Sequence, residues 1–369
     1  VFNSPATITV SQNASCATMY WEPGAAVAPT ITGSTSVNLD IYNNFVLAAN
    51  TNFNFNGNLR FKSVAAAGAV HDIQTSGRNL TLYSFVIEPS SDVEYRLLDE
   101  LNIFRAGLST YSGGSIFFNS GYFNTNANRV RAEGFTSITG NANRRLNIAY
   151  SQITVVRNDH FDGDEWAAWN VDFNRNLAIP NIAAMDATGS HILVQNAGTA
   201  WMFMGTGVRY DSISFGNAST AFDVSSYVSC VADTFHYVAS YRRMAGNPWT
   251  LVTDELHLYP NAVVGGTGTL NLTVDAIITQ GGCGSFPTLG SLGISMRSAG
   301  NGWNSTILLR KLTPGVLTMQ NLLLGRVTAN TTGGRTYIGN NCADKGGNTN
   351  VTFMAGVTNE LYFRGLNNN

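Results

Sequence analysis

The sequence predicts an all-β chain of the β-solenoid kind, a right-handed parallel β-helix with coils of about 20–25 residues. Three observations carry the prediction: a short alternating motif that recurs, the lack of helical periodicity, and few charges beside many turn-forming residues. The motif is a polar residue, Leu or Phe, a polar residue and an apolar one. It appears as Asn38-Leu39-Asp40-Ile41, Asn58-Leu59-Arg60-Phe61, Asn79-Leu80-Thr81-Leu82 and Glu100-Leu101-Asn102-Ile103, at steps of 20, 21 and 21. It resumes as Ser190-His191-Ile192-Leu193, Ser212-Ile213-Ser214-Phe215, Thr234-Phe235-His236-Tyr237 and Glu255-Leu256-His257-Leu258, at steps of 22, 22 and 21. Each copy alternates as a strand with one buried face does. A unit this short cannot bury its apolar face alone, so neighbours must stack. The right hand is the general preference of parallel crossovers; the repeat itself does not set it.

Residues 1–30 read as an N-terminal cap with a first strand. Ala6-Thr7-Ile8-Thr9-Val10 alternates and Trp21-Glu22-Pro23-Gly24 forms a loop. An end coil exposes unpaired strand edges, which such a segment covers. Residues 31–265 form the solenoid proper, cleanest from Ile31 to Phe104 and looser in spacing at Ser115-Ile116-Phe117-Phe118 and Arg145-Leu146-Asn147-Ile148. Phe53, Phe55 and Phe61 alternate as a stacked interior requires. Residues 266–369 are expected to continue the solenoid or to pack closely on it as a C-terminal β segment, from Asn271-Leu272-Thr273-Val274 and Ser291-Leu292-Gly293-Ile294.

Only 12% of the 369 residues are charged, about half the usual share. Asn, Thr and the 37 Gly suit tight corners, where Asn and Gly tolerate left-handed backbone. A net charge of −2 gives no basic footprint for nucleic acid. No unbroken apolar run of about 18 residues is present to span a bilayer. The chain starts at Val1 without an apolar leader, which reads as a processed or excised segment.

The four cysteines, Cys16, Cys230, Cys283 and Cys342, show no zinc-ligand spacing. Two readings stand for them: a Cys283–Cys342 disulfide between two Gly/Asn-rich loops, or buried free thiols. The acidic run Asn158-Asp159-His160-Phe161-Asp162-Gly163-Asp164-Glu165 supplies Asp159, Asp162, Asp164 and Glu165 as oxygen ligands for calcium, or else is a solvated corner. No cofactor other than calcium is expected. Asp211 and Asp233 are the nearest thing to a carboxylate pair one coil apart, and both read as corner residues rather than a glycosidase pair. His236 and His257 share a repeat position, as a polar ladder or a metal pair. Tyr111, Trp201, Tyr241, Trp249 and Trp303 are either sugar-stacking platforms or half-buried corners. No Gly-x-Ser-x-Gly elbow or phosphate-cradling loop occurs. The sequence therefore carries no strong catalytic signature.

Gly325-Arg326-Val327-Thr328-Ala329-Asn330, the segment Ala343-Asp344-Lys345-Gly346-Gly347-Asn348-Thr349-Asn350-Val351-Thr352-Phe353, and Cys283-Gly284 resemble secreted β-helical surface proteins of Bacteroidota. Trp169-Asn170-Val171-Asp172-Phe173 has the same character. The resemblance implies type IX secretion and a place outside the cell or on its surface. It also implies surface proteins, secretion-system proteins or surface polysaccharide as partners. In that setting Asp211-Ser212-Ile213 resembles an O-glycosylation sequon, with Ser212 as acceptor. No C-terminal sorting domain is recognisable after Phe363. The expected function is an extracellular structural or adhesive surface protein, an adhesin or filament component. The alternative is a β-helix that binds or cleaves polysaccharide, like a tailspike or a lyase.

Overall fold

The computed structural model describes residues 7–21, 29–105, 113–137, 139, 143–156, 168–171, 182, 184–195, 202–203, 208–215, 230–237, 249–258, 263–264, 269–279, 286–290 and 306–354. Among them every ordered element is a β-strand and every registered strand pair is parallel. The chain divides into two compact units, one of residues 1–195 and 201–210, the other of 196–200 and 211–369.

In the first unit the chain visits three strand directions in a fixed cyclic order. The first direction runs through Thr7–Val10, Thr30–Gly33 and Asn52–Phe55, with Asn79–Leu82 beside the last of these. It continues through Leu101–Arg105, Val130–Ala132, Gln152–Val155 and His191–Val194. The second sheet holds Ala14–Cys16, Asn38–Ile41, Asn58–Phe61, Ser84–Ile87, Ser115–Phe118, Gly134–Thr136, Trp169–Asn170 and Met202–Phe203. The third holds Met19–Tyr20, Phe45–Val46, Val70–Gln74, Glu94–Leu97, Gly121–Asn124, Arg144–Asn147 and Ala184–Asp186. Every registered pair within these sheets joins a strand to the one three positions further along the chain. Parallel neighbours require such a crossover, because a tight hairpin can join only antiparallel ones.

Register puts like on like inside. On the second sheet Leu39, Leu59, Phe85, Ile116, Phe135 and Trp169 form one inward row. Ile41, Phe61, Ile87 and Phe118 form the next. All ten are buried. The rings interlock: Phe61 lies 4.8 Å from Phe85, 5.2 Å from Tyr95 and 5.9 Å from Phe45, centroid to centroid. Phe53 and Phe55 are buried as their alternation predicts.

Corners recur as well. Four-residue turns over Thr75–Arg78, Thr125–Asn128, Ile148–Ser151 and Ala187–Ser190 each close with an N–H donating to the carbonyl three residues back. Each turn holds a residue of positive φ: Ser76 and Gly77, Asn126 and Ala127, Tyr150, and Gly189. Asn and Gly reach that region at little cost, so the Asn- and Gly-rich composition belongs here.

The repeat differs from its sequence reading in step and phase. Asn38 does stack on Asn58, 20 residues on. Asn58 then stacks on Ser84, not on Asn79. Asn79–Leu82 lies in another direction and pairs with Asn102–Arg105. Within the first unit, steps between partners run from 19 (Ser115 to Gly134) to 39 (Gln152 to His191). All three strands of a turn carry the same polar–apolar alternation, so a periodicity search slides from one sheet to another without loss of match.

In the second unit one sheet runs through Cys230–Tyr237, Trp249–Leu258, Thr269–Thr279, Thr306–Lys311 and Val327–Ala329. A second holds Val263–Val264, Thr288–Gly290, Leu323–Gly325 and Ala343–Asp344. A third holds Gly315–Gln320, Arg335–Asn340 and Thr352–Met354. Here the expected register of Thr234-Phe235-His236-Tyr237 on Glu255-Leu256-His257-Leu258 is present.

Phe61 has no exposed surface and touches rings from three strands. Phe61→Ala is expected to cost about 3–5 kcal/mol, whereas Leu98→Ala, at an exposed position, should stay within about 0.5 kcal/mol. Denaturant unfolding of the two variants measures the difference.

Candidate functional site

The outward faces of the first unit carry its chemistry, because the inward faces are filled. On the second sheet an amide ladder climbs from strand to strand. Asn38 N–H donates to Asn13 Oδ1 (2.9 Å), Asn58 Nδ2 donates to Asn38 Oδ1 (2.9 Å), and Ser84 Oγ donates to Asn58 Oδ1. Beside it Arg60 links Asp40 (3.5 Å) to Glu88 (2.9 Å from Nε), and Lys62 lies 3.6 Å from Asp40.

The third sheet has a matching arrangement. Arg96 donates twice to Asp72 Oδ1, at 3.1 and 2.8 Å. Asn124 Nδ2 donates to Glu94 (2.7 Å). Arg145 grips both oxygens of Asp92 (3.1 and 2.9 Å) while its guanidinium lies 4.4 Å above the Tyr122 ring. Each of these carboxylates is engaged by a cation or an amide of the same face, so the charged groups of these rows are spent on one another. Partly exposed pairs of this kind contribute about 0.2–1 kcal/mol each. Their larger effect is on register, since a slipped strand would face like charges.

Sequence reasoning missed an interior polar cluster. Ser63 Oγ lies 2.8 Å from His71 Nε2 and accepts from Ala65 N–H at 3.1 Å. Ser63 N–H donates to the Tyr95 hydroxyl at 3.0 Å, which in turn donates to Tyr42 O at 3.3 Å. Burial holds the His71 imidazole below its ordinary value, against the opposing pull of the Asp72 charge. Burial likewise pushes the Tyr95 phenol up, more than its hydrogen bonds with Ser63 draw it down. The Ser–His distance is that of a nucleophile and its base, but Ser63 is 0% exposed and its hydroxyl ties a corner together. Arg144 is also fully buried and donates through Nη1 to Ser137 O and, at 2.8 Å, to Ser137 Oγ. No motif marks either cluster, since the partners meet only where the corners fall.

The segment with Asp159, Asp162, Asp164 and Glu165 lies outside the described residues, as do Cys283, Tyr111, Trp201, Tyr241 and Trp303. Among the described residues no three His, Cys, Asp or Glu side chains gather to hold a metal. Cys342 is a free thiol whose Sγ donates to Met319 O at 3.3 Å, and burial pushes its pKa up to about 11. Cys16 is free and shifted upward by burial too. Ser212 is half-exposed within the strand Arg209–Phe215, next to the exposed Asp211. His236 and His257 stand in register, and His257 Nε2 lies 2.8 Å from Glu255 Oε2. In the second unit, burial works to raise Asp275. Hydrogen bonds from Lys311 Nζ (2.8 Å), Thr313 N–H (2.9 Å) and Thr313 Oγ1 (2.7 Å) outweigh it and hold the carboxyl below its ordinary value.

Among the described residues no helix is long and apolar enough to cross a membrane. No protein-family model, no curated protein and no solved structure matches the chain.

Two outcomes follow from the buried groups. His71 has a lowered folded-state pKa, so its neutral form is favoured by folding. Its contribution is complete above the unfolded value of about 6.5 and is lost as pH falls through the folded value. The wild type should therefore lose more thermal stability between pH 7 and pH 5 than His71→Gln, compared by melting at each pH. Cys342, with little thiolate near neutrality, should alkylate more than tenfold slower in the native protein at pH 8 than after denaturation, read by peptide mapping.

Proposed function

We propose that the chain is an extracellular structural or adhesive surface protein built on a right-handed parallel β-helix, in the manner of secreted surface proteins of Bacteroidota. One observation carries the reading. The charged and amide groups on the outward faces of the second and third sheets are spent on each other, row upon row, as in Asp40–Arg60–Glu88 and Asn13–Asn38–Asn58. Surfaces of this kind favour a stiff display scaffold over an acid–base site, which needs carboxyls free to exchange protons. The cyclic visiting of three sheets by parallel strands supports the β-helix, and the hand follows the common preference for right-handed crossovers. The few charges and the net charge of −2 argue against nucleic acid as partner.

Polysaccharide recognition is the second reading. It is favoured by the third sheet, where Tyr122, Asn124, Arg145 and Asn147 stand in two neighbouring outward rows. Intact mass spectrometry with cross-linking on natively isolated protein separates the two. A stoichiometric surface partner or a larger assembly is expected. A free monomer that depolymerises or tightly binds a surface polysaccharide would overturn the scaffold reading in favour of the second.

A further inference from the structure

The first strand direction of the first unit differs in chemistry from the other two. Its outward residues at the N-terminal end are Thr7 and Thr9, Thr30 and Thr32, Asn52 and Asn54, then Asn79 and Thr81. The first six stand in two straight rows, Thr7–Thr30–Asn52 and Thr9–Thr32–Asn54. Thr7, Thr9, Asn52, Asn54 and Asn79 are exposed, and Thr30, Thr32 and Thr81 are half-exposed. None of the eight is charged, whereas the second sheet shows Asp40 and Arg60 outward, and the third Asp72, Glu94, Arg96 and Arg145.

The rows are held from beneath. Ile31, Phe53, Phe55, Leu80 and Leu82 are buried under them. Thr32 Oγ1 donates to Thr9 Oγ1 at 3.2 Å, tying one strand's hydroxyl to the next. Threonine is stiff at χ1, so its hydroxyl and methyl hold fixed places. The result is an in-register grid of uncharged hydrogen-bonding groups, spaced about 4.8 Å across strands and about 6.7 Å along them.

A grid with two fixed spacings and no charge selects a ligand that is itself a repeating uncharged lattice. A nucleic acid or charged polymer would need opposite charge, and the eight positions offer no aromatic ring for a sugar to stack on. Crystalline water fits. Hydroxyls and amides at regular intervals pin individual waters, while the threonine methyls between them deny those waters other partners. The bound layer then takes the order of the grid. We propose that this threonine–asparagine face binds ice.

The test uses the full chain, by ice-affinity partitioning and by microscopy of single ice crystals in undercooled solution. The wild type is expected to concentrate in the ice fraction and to facet or arrest the crystals. Asn54→Tyr, at an exposed position, and Thr32→Tyr, in the middle of the rows, should each cut the arrested interval at least tenfold with the circular dichroism unchanged. Val70→Tyr, equally bulky but outward on the third sheet, should keep it. If Thr32→Tyr fails to fold, Asn54→Tyr alone decides. Exclusion of the folded wild type from ice would overturn the proposal. So would equal activity in Asn54→Tyr, or equal loss in Val70→Tyr. The inference stands apart from the scaffold reading: an ice-inactive chain leaves that reading intact, and an ice-binding monomer without surface partners overturns only the scaffold.

Discussion

In-register parallel stacking is the constraint on which the rest of this protein depends. Each residue sits about 4.8 Å from its counterpart in the next strand, so whatever is placed at one position meets its own kind unless the sequence changes it. Inside, the rule is easily met by rows such as Leu39–Leu59–Phe85–Ile116. Outside, it makes charge expensive: two like charges at that distance repel along the whole row. The described outward rows answer by alternating sign, as where Asp40 registers with Arg60 and Asp72 with Arg96, or by using neutral amides and hydroxyls. The charged fraction of 12% is a consequence of this geometry and not an independent trait of the composition.

Corners pose the second problem, because the ladder breaks there and carbonyls lose their strand partners. Small hydroxyls answer it. Ser91 Oγ donates to Ala65 O, Ser120 Oγ to Pro89 O, and Ser137 Oγ to Phe118 O, at 2.6, 2.6 and 2.7 Å. On another corner Thr75 Oγ1 donates to Glu100 O at 2.8 Å and Thr125 Oγ1 to Asn147 O at 3.0 Å. Each of these bonds joins one turn of the chain to a neighbouring one. Corner hydroxyls thus satisfy the backbone and also hold the stacking distance, which is why buried Ser and Thr accompany a core otherwise made of Leu, Ile and Phe. The Ser63–His71–Tyr95 cluster is the same device enlarged, with an imidazole and a phenol joined to the serine.

The elements were legible in the sequence and the register was not. Asn38–Ile41, Asn58–Phe61 and Asn79–Leu82 are strands with the bounds that alternation gives. Which strand lies beside which depends on corner lengths, and these vary because a corner can lengthen at the surface without disturbing the rows within. Asn58 therefore meets Ser84 across 26 residues, a step that no constant period predicts. The buttressed carboxylates were hidden for the same reason. Arg145 and Asp92 are 53 residues apart and meet only because two turns of unequal length, with steps of 28 and 23 residues, carry the chain from one to the other. By contrast His236 and His257 stand on strands paired at the 21-residue step of the sequence motif itself, so their register could be read from spacing alone.

A stacked sheet can carry two kinds of outward face, and they do different work. A charged face such as Asp40–Arg60–Glu88 satisfies itself: its bonds run between strands, and a ligand would have to break them to bind. A neutral face such as Thr7–Thr30–Asn52 spends less of its hydrogen-bonding capacity internally, because a hydroxyl that donates to its neighbour still accepts. It keeps both order and open valence. Among the described rows of the first unit, the charged ones secure the register and the neutral ones keep ordered hydrogen-bonding groups open to solvent.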